Sequence, residues 1–230
     1  MLDSPTFNSD SNGGNFCTWN PLALGSYSVL SEGNLKHASN TSADASYIGG
    51  TMGATSGKWY WESYVGSLNE SWPNFGITDL ADRLFNHLTL GQNYYAVRYR
   101  YNGGIESSNY ANMGTMTIDA TGAPTYTTGD IIGIHLDCDN KKLWFSKNGT
   151  QINSGDPSAG TNYQAIWTAN NNFELSPYSA AYQSYYSILN CGQEGTFAGA
   201  ITAGGNADEN GYGNFKYAPD TGFLAICSGN

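Results

Sequence analysis

The most constraining stretch of this 230-residue chain runs from residue 129 to residue 152. There Ile132, Ile134, Leu136 and Cys138 alternate with Ile131, Gly133, His135 and Asp137. Only an extended strand turns successive side chains to opposite faces, so this period of two specifies β structure and excludes a helix. A tight turn at Asp139-Asn140-Lys141 follows, after which Leu143 and Phe145 share one face and Trp144 and Ser146 the other. Asn148-Gly149 supplies the positive backbone angles of a two-residue hairpin, and Gln151-Ile152 starts the return strand. The prediction is a three-strand meander.

The rest of the chain offers little else to build with. Gly, Asn, Ser and Thr make up 96 of the 230 residues, and charged residues only 12%. Too few Leu, Glu and Lys remain for amphipathic helices, which excludes a helical bundle. An aromatic content of 14% argues against disorder. Short apolar alternations recur at 57–65, 74–78, 185–190 and 222–227, divided by turn signals in the manner of a sandwich. Residues 155–172 and 192–213 read as loops, and 79–88 as room for one helical turn. Residues 1–20 are polar and read as an extended arm or a first edge strand. Core aromatics run from residue 59 to residue 223 without a linker, so residues 1–230 are expected to form a single domain.

Nine basic against 19 acidic residues leave a net charge of −10. Nucleic acid and anionic membranes are therefore not expected partners, and Lys141-Lys142 is the one basic pair. No apolar run approaches the length of a membrane span. The start, Met1-Leu2-Asp3-Ser4-Pro5, lacks the charged and apolar regions of a secretory signal, so synthesis in a cytoplasm is expected. Cys17, Cys138, Cys191 and Cys227 form no C-x-x-C pair and are expected to be buried free thiols, Cys138 in the core with Leu136 and Leu143.

Four blocks resemble the SPRY family of concanavalin-like sandwiches. They are Gly57-Lys58-Trp59-Tyr60-Trp61-Glu62, Trp72-Pro73-Asn74-Phe75-Gly76-Ile77, Tyr99-Arg100-Tyr101-Asn102-Gly103-Gly104, and Gly129-Asp130-Ile131-Ile132-Gly133-Ile134 with Leu143-Trp144-Phe145-Ser146-Lys147-Asn148-Gly149. The last is the most specific; in the third, Arg100 and Asn102 depart from the family pattern. These blocks span residues 57–152. The resemblance implies an all-β, concanavalin-like jelly-roll β-sandwich of two antiparallel sheets with long loops. The two ends, at Asp3-Ser4-Pro5-Thr6, Asn20-Pro21-Leu22 and Leu30-Ser31-Glu32-Gly33-Asn34-Leu35, and at 211–227, are similar to SPRY-like proteins of bacteriophages. That likeness implies a virion component.

Motifs of catalysis are scarce. No Gly-x-Ser-x-Gly, His-Glu-x-x-His or phosphate-binding loop accompanies His37, His87 and His135. Glycosidases on related folds need paired carboxylates, and Glu62 has no partner at the required spacing, so it reads as structural. Asp137 and Asp139 could offer oxygens to calcium, although a turn at Asn140 accounts for both without metal. For binding, the densest stretch is Tyr94 to Asn102. Alternation puts Tyr95, Val97, Tyr99 and Tyr101 on one face and Tyr94, Arg98 and Arg100 on the other. Tyr and Arg are enriched at binding hot spots, and the chain has three arginines in all. The same alternation also describes an ordinary strand with one core face and one solvated face. Trp72, an apolar ring in the polar loop Asn69-Glu70-Ser71-Trp72-Pro73, is the second candidate.

The expected ligand-binding residues are thus Trp72, Tyr99, Arg100 and Tyr101, with no catalytic residue, no cofactor and no metal. The expected function is a non-enzymatic binding or assembly module on a phage tail or capsid, touching other virion proteins or a host surface. The alternative is a carbohydrate-binding adhesin for host glycans.

Overall fold

The alternating stretch becomes the spine of the larger of two sheets in the computed structural model, which describes residues 14–25, 27–39, 45–68, 73–80, 96–108, 116–118, 122–168, 173–182 and 184–230. In chain order the strands are β1 (Trp19–Leu24), β2 (Ser28–Ser31), β3 (Lys36–Ser39), β4 (Ala45–Gly50), β5 (Lys58–Ser67), β6 (Asn74–Asp79), β7 (Ala96–Arg100) and β8 (Ile105–Ser108). They continue as β9 (Met116–Ile118), β10 (Ile131–Asp137), β11 (Lys142–Lys147), β12 (Thr150–Gln151), β13 (Ala165–Trp167), β14 (Leu175–Tyr182), β15 (Tyr186–Asn190) and β16 (Leu224–Ala225). One sheet has the order β1-β4-β14-β6-β7-β8; the other runs β2-β3-β15-β5-β10-β11-β13-β9, with β12 on β11 and β16 on β5. All pairings are antiparallel except the two-residue β16, which lies parallel to β5. This is the expected all-β sandwich.

Register explains the core. Trp61 on β5, Ile134 on β10 and Phe145 on β11 stand in one row, as do Trp59, Leu136 and Leu143. The first row is fully buried and meets Phe75, Ile77, Val97 and Tyr99 from the facing sheet. Cys138 joins the same cluster as a free thiol. Its neighbours on the alternate parity, Tyr60, Glu62, His135 and Trp144, point the other way. That outer face is buried too, because residues 191–230 pack over it. Phe215 lies edge-on to Tyr60 at 5.0 Å, and Phe223 reaches His135 at 5.2 Å and Trp144 at 6.1 Å between ring centroids. Phe197, Phe215 and Phe223 have no exposed surface. The molecule therefore has three layers where two were expected.

The family-like signature is a lock between neighbouring turns. Asp130 accepts hydrogen bonds from the Asn148 side chain (2.7 Å) and the Thr127 amide (2.8 Å), and pairs with Lys147 at 3.1 Å. Asn148 in turn accepts from the Ile131 amide at 2.8 Å. Asn148 and Gly149 carry the positive φ values the hairpin requires.

Three expectations need correction. The extended-arm alternative for residues 1–20 does not hold from Phe16 on, where Phe16, Cys17 and Trp19 are buried and the Cys17 amide donates to the Ile226 carbonyl; the edge-strand alternative does, since β1, from Trp19, is the edge of the smaller sheet. Only residues 1–13 of the proposed arm lie outside the described residues. The return strand of the meander stops after two residues, where a 3-10 turn begins at Ile152 and Asn153 takes a φ of 51°. The segment 155–172 is not all loop, since β13 pairs with both β11 and β9. The helical turn expected at 79–88 lies outside the described residues beyond Leu80.

Candidate functional site

Strand alternation on β7 divides the Tyr/Arg stretch in two. Val97 and Tyr99 go inward and are fully buried. Tyr99 lies edge-on to Tyr126 at 5.0 Å and tilted against Phe145 at 5.5 Å, and its hydroxyl donates to the Pro124 carbonyl. The fold thus gives Tyr99 a packing role, because the parity that aligned it with Val97 is the core parity. Arg98 and Arg100 go outward and remain half-buried. Tyr101 follows the strand, half-buried against the core edge, with Asn102 exposed at the turn.

The outer face of the smaller sheet collects these groups in rows. One row runs Gly49, Tyr178, Gly76, Arg98 and Glu106 across β4, β14, β6, β7 and β8; the next runs Tyr47, Ala180, Asn74 and Arg100. Glu106 takes Arg98 at 3.2 Å on one oxygen and Arg100 at 2.5 Å on the other. Partial burial alone would push its carboxyl up, and the two guanidiniums hold it below the usual range. Gly76 is required here: a Cβ on it would stand 1.9 Å from the Val97 carbonyl oxygen. Glu106 was missed by the sequence reading. Counting outward from the turn at Asn102-Gly103 is the signal that finds it opposite Arg98.

Trp72 lies outside the described residues, but its neighbour Pro73 is tied to this site. The Pro73 carbonyl accepts from the Tyr101 amide at 3.2 Å and from the Tyr126 hydroxyl at 2.8 Å. The same hydroxyl lies 3.1 Å from the Tyr99 carbonyl. Of the four expected residues, then, Arg100 and Tyr101 adjoin at one end of the smaller sheet, with Pro73 beside them, and Tyr99 lies beneath. Two guanidiniums, phenolic rings and an exposed amide suit carbonyl and carboxylate groups of an extended partner surface.

The groups weighed for catalysis are occupied elsewhere. Glu62 is fully buried and accepts from the Tyr217 amide (2.8 Å), the Lys216 amide (2.9 Å), the Tyr60 hydroxyl (3.0 Å) and the Asn190 side chain (3.2 Å). Desolvation raises its pKa despite those four donors. His135 pairs with Asp220 at 2.9 Å under the third layer, and burial lowers its pKa. His37 sits between the sheets against Ser179 (3.3 Å) and Ser28 (3.1 Å), its pKa lowered to about 3 by burial. Asp137 is held by Asn140 at 2.8 Å on both oxygens and by Lys58 at 3.7 Å, while Asp139 caps the Gly57 amide at 3.0 Å. Among the described residues no group of three or more His, Cys, Asp or Glu side chains is arranged to hold a metal ion.

Comparison with known proteins gives three results. The family model described as the SPRY domain matches residues 58–187. Among solved structures, the SPRY domain of human HERC1 is similar over 74% of this chain and 96% of that one, at 18% identity and a TM-score of 0.51. A stonustoxin structure is similar over 76% of this chain and 27% of that one, at 20% identity and a TM-score of 0.47. No curated protein sequence matches the chain.

Proposed function

Because this chain belongs to the SPRY domain family, we propose that it is a non-enzymatic protein-binding module whose contact surface is the β6–β8 end of the smaller sheet. Trp72, Arg100 and Tyr101 are the contacting residues, with Glu106 orienting the guanidiniums and Tyr99 supporting them from the core. The observation that carries this reading is the distribution of chemistry over the sandwich. Two of the three arginines stand together on an outer face, while Glu62, His37 and His135 are sealed inside. No cofactor enters the proposal.

The finer proposal is a component of a bacteriophage particle, on the tail or as a capsid decoration, made in the host cytoplasm and bound to other virion proteins or to a host-surface protein. Its support is the sequence resemblance of both chain ends to SPRY-like phage proteins, together with a net charge of −10 that limits self-association before assembly. Quantitative mass spectrometry of purified particles tests it. A fixed, integral copy number per particle is the expected result; absence from particles overturns the particle reading and leaves the binding module. Binding on a glycan array at sugar-specific affinity would instead favour the adhesin.

A further inference from the structure

One corner of the sandwich, away from the contact surface, carries no charge. Residues 11–31 form the longest run of the chain without a charged side chain, bounded by Asp10 and Glu32. The run contains β1 and β2, consecutive strands that touch each other and end the smaller and the larger sheet respectively. The large hydrophobic side chains most open to solvent lie here: Leu22 is 87% exposed, Val29 43% and Tyr27 36%. Among the described residues no other large hydrophobic side chain is as open.

A sheet edge presents unpaired backbone groups to any passing strand, and three of the four edges here are blunted. β1 carries Pro21 and breaks its register between Trp19 and Leu24. β8 carries Glu106, and β9 has only three residues. β2, Ser-Val-Leu-Ser, holds neither a charge nor a proline, and its register on β3 is unbroken. Among the described residues it pairs with β3 alone. Its side chains alternate cleanly. Tyr27, Val29 and Ser31 are exposed, whereas Ser28 is buried against Tyr47 and His37, and Leu30 packs on the core.

We propose that β2 docks a second copy of this chain, the two β2 strands pairing antiparallel about a twofold axis through Val29. A strand added to a sheet must keep its inward and outward residues on the matching faces, so only residues of equal parity can stand opposite each other. Centring the axis on Val29 meets that condition. Val29 then faces its own copy, Tyr27 faces Ser31, and Ser28 faces Leu30, so exposed residues meet exposed ones throughout. Glu32 falls beyond the paired segment, and the two copies of it lie at opposite ends. Neutrality is what lets like-charged copies meet at this edge. Two molecules of net charge −10 repel wherever acidic side chains are brought together, and the paired strands bring none. Four residues of strand make a small contact, so the dimer is weak and forms as concentration rises.

Sedimentation velocity of the full chain over a concentration series tests this. The average mass should rise from 24.7 kDa toward twice that value. Val29→Lys sets two like charges against each other on the axis and should hold the mass at 24.7 kDa throughout. Its melting curve should match the wild type, because the side chain is exposed. Since Val29→Lys also lowers the net negative charge, an association limited by repulsion alone would instead grow stronger. Val29→Cys reads the register. Its thiol faces its own copy at a Cα separation of about 4.5–5.5 Å, within disulfide range, so mild oxidation should give a covalent dimer that dithiothreitol separates. The four native thiols are buried and do not compete. Leu22→Cys, more exposed but off the axis, should cross-link at least tenfold more slowly. The wild-type series decides the question even if a variant does not fold. A wild type that stays monomeric throughout overturns the proposal and leaves the corner to a partner of other composition. A dimer that survives Val29→Lys, or cross-linking through Leu22→Cys as fast as through Val29→Cys, also overturns it.

Discussion

At position 62 a carboxylate with no exposed surface is met by four donors, two of them amides of the third layer. Removing its charge leaves those donors facing an amide that can satisfy only part of them. Glu62→Gln should therefore lower the unfolding free energy by about 3 kcal/mol, as read from urea denaturation, while leaving partner binding intact in whatever remains folded. The buried histidines make a second prediction. His37 and His135 both have pKa values lowered by burial, so the unfolded chain binds their protons first. Stability from each is present above the unfolded value of about 6.5 and is lost as pH falls below it. For His37 that window extends down to about 3. The urea midpoint should drop as pH goes from 7 to 5, and His37→Asn should flatten the slope. A midpoint that is level over that interval would refute the assignment.

The elements differ in how much of themselves they display in sequence. β5, β10 and β11 carry their period in β-branched and aromatic side chains, and the Asn148-Gly149 hairpin names its own turn; all were legible. β14 was not. Its sequence, Leu-Ser-Pro-Tyr-Ser-Ala-Ala-Tyr, is poor in strand-favouring residues and holds Pro177, yet it lies centrally between β4 and β6. The proline is tolerated because β4 ends alongside it, and the Gly50 amide donates instead to the Ser176 hydroxyl at 3.1 Å. β2, β3, β8 and β9 are at most four residues long, too short for a period to show. The site was legible in the same uneven way. Parity alone puts Arg98 and Arg100 on one face, but it cannot say which face is core, and so it offers Tyr99 as a contact as readily as Arg100. At this scale Gly76 gives the clearest prediction. Gly76→Ala puts a methyl into backbone that cannot yield, and should cost about 3 kcal/mol or abolish soluble expression. Gly129→Ala meets nothing within 4 Å and carries only the strain of a φ of 93°, so it should express and fold.

For the molecule as a whole, the family match ends at residue 187 while the fold does not. Residues beyond it bury the outer face of the larger sheet and hold Glu62, so truncation after Asn190 should expose Tyr60, Trp144 and His135 and yield aggregated protein, checked by size exclusion and limited proteolysis. The proposed contact surface lies on the opposite sheet, apart from this stabilising layer. Arg100 shares Glu106 with Arg98 at a half-exposed pair, so Arg100→Ala should remove no more than about 1 kcal/mol, or about 4 °C of melting temperature. Under the proposed particle role, the direct measurement is incorporation of Arg100→Ala into purified particles, quantified by mass spectrometry beside its melting curve. Near-normal melting with incorporation reduced at least tenfold is the predicted result. Normal incorporation, or loss of incorporation only because the domain has unfolded, would contradict a contact surface at Arg100.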